Sequence, residues 1–343
     1  MEGSRHRPTT QGKAMINKHE HLAAQLVIPP LECPLPVRVD EALGNHVNDL
    51  LLDWVSQVGI FEGQLEQVHA SNFGRFAMLC HPDTDTPERL LLSAKCIAAL
   101  FAVDDHYCDD ERSGSNPRLL GPRLSLALAA LDKAHLTAPH DLALTQALNR
   151  DPVLRGLQGY MSHLARYSSE SQMARVRLET IAMFVTMNAE AAWRIEHSLP
   201  SVWEYLAHRQ VNSFLPCMAL IDVVGGYELE ADAYFSAQVR EVVTLAASAT
   251  IIANDVYSAP KESMPEIGDF NLPLLLAHEH GCSLQQGMWL AAETHNEIVR
   301  RYADKEHQLL EHASPQLERF LGGVKAWLAG NNEWHQHSGR YQV

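Results

Sequence analysis

Apolar side chains recur every three to four residues along most of this chain, the spacing of a helix with one buried face. Val47, Leu50, Leu51, Trp54, Val55 and Val58 set such a stripe on a helix beginning near residue 42. Residues 88–105 carry Leu90, Leu91, Leu92, Cys96, Ile97, Leu100, Phe101 and Val103 around almost the whole circumference, the pattern of a central helix. The same periodicity predicts helices over about 123–135, 140–150, 153–168 and 172–198. Ser201 followed by Glu204 has the form of a capping box opening the next helix, and Gly225-Gly226 ends it. A long helix is predicted from Asp232 to Ser258, then helices over 283–312 and 314–329. Residues 112–123, rich in Gly, Pro, Ser and Asn, read as a loop. No segment alternates apolar and polar residues as a strand would. The expectation is an all-α fold, with one domain over 36–343. Residues 1–35 form a flexible Pro-rich segment in which Pro29, Pro30 and Pro34 exclude a regular helix.

Composition narrows the function. At 343 residues, 46% hydrophobic and 20% charged, the chain has the balance of a soluble globular protein. A net charge of −15 and the lack of a basic stripe argue against a nucleic-acid partner. An acidic protein acting on an anionic substrate would need metal ions to reconcile the charges, although plain solubility explains the acidity equally well. The six cysteines include no C-x-x-C pair, so neither a zinc site nor a disulfide framework is expected. Residues 1–20 are too polar for a signal peptide, and no uninterrupted apolar run of about 18 residues suggests stable membrane insertion. A cytoplasmic location is the expectation.

Two polar segments stand out against the apolar helices. Asn254, Ser258 and Glu262 are spaced i, i+4 and i+8, and drift only about 80° around a helix, so all three project from one side. An amide oxygen, a hydroxyl and a carboxylate together suit Mg²⁺ rather than a softer metal. Pro260 lies within this motif and predicts a kink or an end to the helix. Upstream, Asp104 and Asp105 close the central apolar helix, where charge is costly unless it faces a cavity or a partner. Phe101, one turn earlier, falls on the same side, and Asp109 and Asp110 follow. A solvated polar face accounts for either segment alone, and core packing accounts equally well for Phe101; the two segments together shift the balance towards a site. Arg209 lies 45 residues before Asn254, and Arg340-Tyr341 stands near the C-terminus. A guanidinium there can donate two bonds to a diphosphate, with Lys261 adding a point charge. The 19 histidines show no zinc-like spacing.

With these motifs the chain resembles the bacterial class I terpene synthases. It is similar in particular to the branch that makes 2-methylisoborneol and 2-methylenebornane. The branch likeness is carried by Cys33-Pro34-Leu35-Pro36-Val37-Arg38, Asn72-Phe73-Gly74-Arg75, His81-Pro82-Asp83 and Ala94-Lys95-Cys96 running on to Asp109. The resemblance implies an α-helical barrel or bundle whose mouth binds three Mg²⁺ ions above an apolar floor. It implies Asp104, supported by Asp105, as ligand to two ions, and Asn254, Ser258 and Glu262 as ligands to the third. Arg209, Lys261, Arg340 and Tyr341 would contact the diphosphate. Phe101 and Trp334, with Phe184 or Tyr107 as further candidates, would face the carbocations. One departure is that Cys108 stands where the commonest motif has a third acid, which leaves open whether Asp109 or Asp110 takes that part.

The implied reaction is Mg²⁺-dependent ionisation and cyclisation of 2-methylgeranyl diphosphate to a bornane-type C11 product, alcohol or alkene, with release of diphosphate. A sesquiterpene cyclase acting on farnesyl diphosphate would carry the same metal motifs. A non-catalytic isoprenoid-binding helical protein is the reading from another class. Homodimers are common in this fold, which leaves a homodimer open.

Overall fold

The structure is a computed structural model that describes residues 26–109, 116–262 and 270–341, with the side chains of Asp109 and Glu262 outside that description. Among the described residues every regular element is helical. Helix α1 (Glu41–Val58) starts at Asp40, whose carboxylate accepts from Leu43 N at 3.0 Å, and stops at Gly59 in the left-handed conformation. It buries Val47, Leu51, Trp54 and Val55 of the predicted stripe, with Leu50 and Val58 half-buried at its edges. Helices α2 (Leu65–Ser71) and α3 (Phe73–Cys80) meet at Asn72, and α3 is buried on all sides. Gly74 makes that possible: a Cβ there would lie 2.2 Å from Asn48 N of α1, so the two backbones cross in contact.

Helix α4 (Pro87–Val103) is the predicted central helix, and it widens at its end into a π-helical turn over Asp104–Asp109. Such turns occur inside α-helices at functional sites and re-aim the side chains they carry. Helix α5 (Pro117–Leu131) begins inside the segment expected to be a loop, because Asn116 caps it and Pro117 takes the first helical position. Helices α6 (His140–Arg150), α7 (Pro152–Leu164) and α8 (Glu170–Glu196) follow, α8 opening on a capping box of Ser169 and Gln172.

The helix expected from Ser201 to Gly225 is instead three pieces: α9 (Val202–Arg209), α10 (Leu215–Met218) and α11 (Ile221–Gly225). Ser201 heads α9 without a side-chain cap bond. The break has a local cause, since Ser213 Oγ donates to Gln210 O at 2.9 Å and Arg209 Nη1 donates to Asn212 O at 3.3 Å. After α12 (Ala231–Tyr234), α13 (Ala237–Glu262) runs two residues past Pro260. Helix α14 (Leu272–His280), capped by Asn271, was not anticipated; its short, nearly all-apolar run has no one-sided pattern to read. Helices α15 (Leu284–Leu310) and α16 (Pro315–His337) complete the chain. Helix α16 reaches beyond the expected end at 329 because Gly330 lies where α16 touches α3, a Cβ there falling 2.8 Å from Leu79 C.

Helix α13 packs along α15 and α16, α3 sits among α1, α4 and α16, and α4 also packs on α7. The span Ala237–Lys261 is long and apolar enough to cross a membrane by length and composition, yet 78% of its apolar window is buried against the other helices. The described part of the proline-rich segment lies along α15. From residue 26 onward it is extended, as the prolines require, and bonded to α15: Val27 exchanges two 2.8 Å bonds with Gln285, and Glu32 N donates to Asn296 Oδ1 at 2.8 Å.

Candidate active site

A cavity of about 450 Å³, counting its open mouth, lies between α4, α8, the α9–α10 break and α13. Its floor is apolar, made by Ile97, Leu100, Met183, Phe214, Cys217 and Ile251. Its upper lining holds Phe101, Asp104, Arg209, Asn212, Ser213 and Asn254. Four residues singled out in the sequence, from three separate helices, therefore meet at one cavity.

One wall belongs to α13. Asn254 Nδ2 donates to Tyr341 Oη at 2.7 Å and lies 3.2 Å from His335 Nε2, while its Oδ1 is 3.5 Å from Arg209 Nη2. The next residue, Asp255, points into the protein. Its carboxylate accepts from Arg209 Nη2 at 2.6 Å, Arg209 Nε at 3.1 Å, Tyr205 Oη at 2.8 Å and Leu272 N at 3.1 Å. Burial alone would ease the proton off Arg209, but the Asp255 carboxylate overrides it and holds the guanidinium charged. Burial drives the Tyr205 hydroxyl well above its ordinary pKa, so it stays a donor. Sequence reasoning passed over Asp255 and Tyr205. The available signals were an acid inside the most apolar long helix and a Tyr one turn before Arg209. Ser258 is buried one turn beyond Asn254, its Oγ 3.3 Å from Asp255 O. The Glu262 side chain falls outside the described residues. Lys261 is exposed, at the last turn of α13.

The facing wall is the end of α4. Asp104 and Asp105 are half-buried on the π-helical turn, which Arg194 ties to α8 through a 2.7 Å bond from Nη1 to Cys108 O. Arg340 donates to both oxygens of Asp105, at 2.8 and 3.4 Å, and lies 4.1 Å over the Phe101 ring. Burial would lower the pKa of Arg340, but Asp105, Tyr341 and Asp104 raise it and keep the charge. Of the Arg340-Tyr341 pair, Arg340 thus bonds the aspartate wall and Tyr341 the α13 wall.

Trp334 lies behind the residues that line the cavity. Its ring is 1% exposed and stacks on Phe76 with centroids 4.4 Å apart, its Nε1 donates to Ser71 O at 2.7 Å, and it does not line the cavity. It supports Phe73, which in turn stacks on Phe101 at 5.3 Å. Tyr107 is turned away as well, its hydroxyl donating to Asp151 at 2.6 Å, and Phe184 is packed in the core. Of the aromatic candidates, Phe101 faces the cavity; Phe214 joins it unanticipated.

Among the described residues no three His, Cys, Asp or Glu side chains gather as a metal site. The donors facing the cavity are oxygens of a carboxylate and an amide, with a hydroxyl one turn away, a set that suits a hard cation sharing its shell with phosphate oxygens and water. Two arginines fixed by carboxylates flank them, so an anionic group seated there meets preorganised donors.

The family described as terpene synthase family 2, C-terminal metal binding, matches residues 95–301. The chain belongs to this family. It is a terpene cyclase with the all-α class I fold. It is 37% identical over 306 residues to 2-methylisoborneol synthase of Streptomyces griseus, covering 88% of this chain and 69% of the relative. The 2-methylisoborneol synthase of Saccharopolyspora erythraea is 34% identical, with 91% and 89% covered. In three dimensions it is similar to 2-methylisoborneol synthase from Streptomyces coelicolor A3(2) in complex with Mg²⁺ and 2-fluoroneryl diphosphate: TM-score 0.85, 35% identity, 93% of this chain and 97% of that one.

Proposed function

We propose that this terpene cyclase ionises 2-methylgeranyl diphosphate and closes it to a bornane-type C11 product, releasing diphosphate. The observation that carries the proposal is the single cavity in which Asp104, Arg209 and Asn254 stand over a floor of apolar side chains. Likeness to 2-methylisoborneol synthases over most of the chain supports the choice of substrate. Asp104 with Asp105 on one wall, and Asn254, Ser258 and Glu262 on the other, would hold three Mg²⁺ ions. When bound, these supply positive charge that neutralises the leaving diphosphate.

The chain's own residues do the rest. Arg209, Arg340 and Tyr341, with Lys261 at the edge, donate to the diphosphate and strengthen as its charge develops. The apolar floor folds the hydrocarbon and excludes water. A trans double bond prevents direct ring closure, so the diphosphate first recombines at the tertiary carbon. Rotation and a second ionisation then permit closure through terpinyl-type to bornyl-type cations. Phe101 offers its ring face to the positive charge. Capture of water gives 2-methylisoborneol; loss of a proton to the departed diphosphate gives 2-methylenebornane.

Purified protein with Mg²⁺, offered geranyl, 2-methylgeranyl and farnesyl diphosphates in parallel, tests this by gas chromatography–mass spectrometry. Preference for 2-methylgeranyl diphosphate with bornane-type products is expected, and chelation of the metal should abolish them. Preference for farnesyl diphosphate would overturn the substrate, and no product from any of the three would overturn the activity.

A further inference from the structure

An amide is a useful metal ligand only when its oxygen, not its nitrogen, faces the metal. Nothing in Asn254 itself decides between the two orientations, and its neighbours must do so. The decisive neighbour is His335, in the last turns of α16. His335 is 3% exposed, and its Nδ1 lies 2.8 Å from the backbone oxygen of Asn331. A carbonyl can only accept, so Nδ1 carries the proton. A neutral imidazole then has a bare lone pair on Nε2, and that atom lies 3.2 Å from Asn254 Nδ2.

The ring cannot turn easily to offer its other face. It is sandwiched between Tyr257 and Tyr341, with centroids 5.2 and 5.1 Å away and interplanar angles of 22° and 23°. Trp334 closes one edge at 4.8 Å. The Tyr341 hydroxyl takes the second proton of Asn254 Nδ2 at 2.7 Å. Both hydrogens of the amide are thereby committed to α16 and the terminal Tyr. The oxygen is left facing Arg209 and the cavity. A flipped amide would set an NH₂ group against the Arg209 guanidinium and an oxygen against the His335 lone pair, losing two favourable contacts at once; the Tyr341 hydroxyl, which donates as well as accepts, does not discriminate.

We infer that His335 is a positioning residue: by accepting from Asn254 Nδ2 and stacking on Tyr341, it aims the Asn254 oxygen into the cavity and seats the terminal Tyr beside it. The inference rests on the proposed role of Asn254 as a metal ligand. A partner of this kind typically changes metal affinity by about 10- to 100-fold when it is removed.

The test uses the full-length protein with Mg²⁺ and inorganic diphosphate as the probe, followed by isothermal titration calorimetry. His335→Phe preserves the aromatic sandwich and deletes the acceptor; His335→Gln offers a carbonyl oxygen in its place. His335→Phe is expected to weaken Mg²⁺–diphosphate binding, and to raise the half-saturating Mg²⁺ concentration, by about tenfold or more. His335→Gln should recover most of that loss. Normal binding by His335→Phe, while Asn254→Ala loses it, would overturn the positioning role and leave the ligand role intact. Normal binding by both would overturn the ligand role as well. A measurement on the unaltered protein guards against a variant that does not fold. The ¹⁵N spectrum of the His335 ring, assigned through the Gln variant, should show a protonated Nδ1 and an unprotonated, hydrogen-bonded Nε2. A protonated Nε2 would overturn the inference.

Discussion

The two walls of the cavity are built by opposite strategies. On the α13 wall the functional side chains are buried and held from behind: Asn254 by His335 and Tyr341, Arg209 by Asp255, and Asp255 in turn by Tyr205 and the Leu272 amide. On the aspartate wall the carboxylates stand half-buried on a widened helical turn, with Asp105 paired to Arg340. The first wall is a preformed socket in which each polar group has a fixed partner. The second is a rim whose electrostatic balance depends on Arg340 near the end of the chain. A site that must admit an anionic substrate and then enclose it benefits from one fixed wall and one adjustable wall.

Breaking the fixed wall should cost most. Asn254→Ala is expected to lower turnover by a factor on the order of 10³ or more, with the protein still folded and only the loss of the His335 and Tyr341 bonds, about 1–3 kcal/mol, felt in its stability; steady-state kinetics and a thermal melt check both. Asp255→Ala should damage stability and activity together. It strands the Arg209 guanidinium and the Tyr205 hydroxyl, and loss of one partner from a buried pair costs about 3–5 kcal/mol. Asp222→Ala sharpens the comparison. Asp222 holds Arg175 through two bonds of 2.7 and 2.8 Å in a fully buried pair, and neither residue lines the cavity. It should lose a similar amount of stability in a denaturant titration yet keep its turnover number below the unfolding transition. Equal losses of turnover in the two variants would erase the distinction between socket and scaffold.

Acid should act on the buried framework next. His81 is buried, bonded to Ser93 at 2.9 Å, and burial lowers its pKa to about 3. The unfolded chain takes up the proton near pH 6.5 while the folded one refuses it. Stability is therefore whole above about 6.5 and falls by up to about 1.4 kcal/mol per pH unit as the pH drops towards 3. Unfolding midpoints measured across that range should show a slope to which the other buried histidines add, and His81→Gln should make it shallower by about that one-proton share without abolishing it. On the mouth, Asp105→Asn should lower kcat/KM by about tenfold while changing stability by less than about 1 kcal/mol, because the Arg340 pair is partly exposed. Lys261→Ala, at an exposed position, should have the smallest effect, under about threefold.

This division also explains what the sequence made legible. Helical periodicity identifies the all-α fold because one-sided burial leaves a regular trace, as in Val47 to Val58. Asn254, Ser258 and the paired aspartates were visible because polar atoms interrupt apolar helices. The supports were not. Asp255 reads as one more acid until its direction is known, and His335 reads as one of 19 histidines until α16 brings it to Asn254. The break after Arg209 and the π-helical turn arise from local side-chain bonds and tertiary packing, which periodicity does not record. Trp334 shows the converse: an aromatic near a functional pair reads as a cavity wall, and the structure packs its ring against Phe73 and Phe76.

The most direct test of the account compares wild-type protein and Asn254→Ala on 2-methylgeranyl diphosphate with Mg²⁺, reading C11 products by gas chromatography–mass spectrometry. The account predicts a bornane-type product from the wild type, lost on chelation, and essentially none from a variant that remains folded. Equal product from the variant, or no C11 product from the wild type, would contradict it.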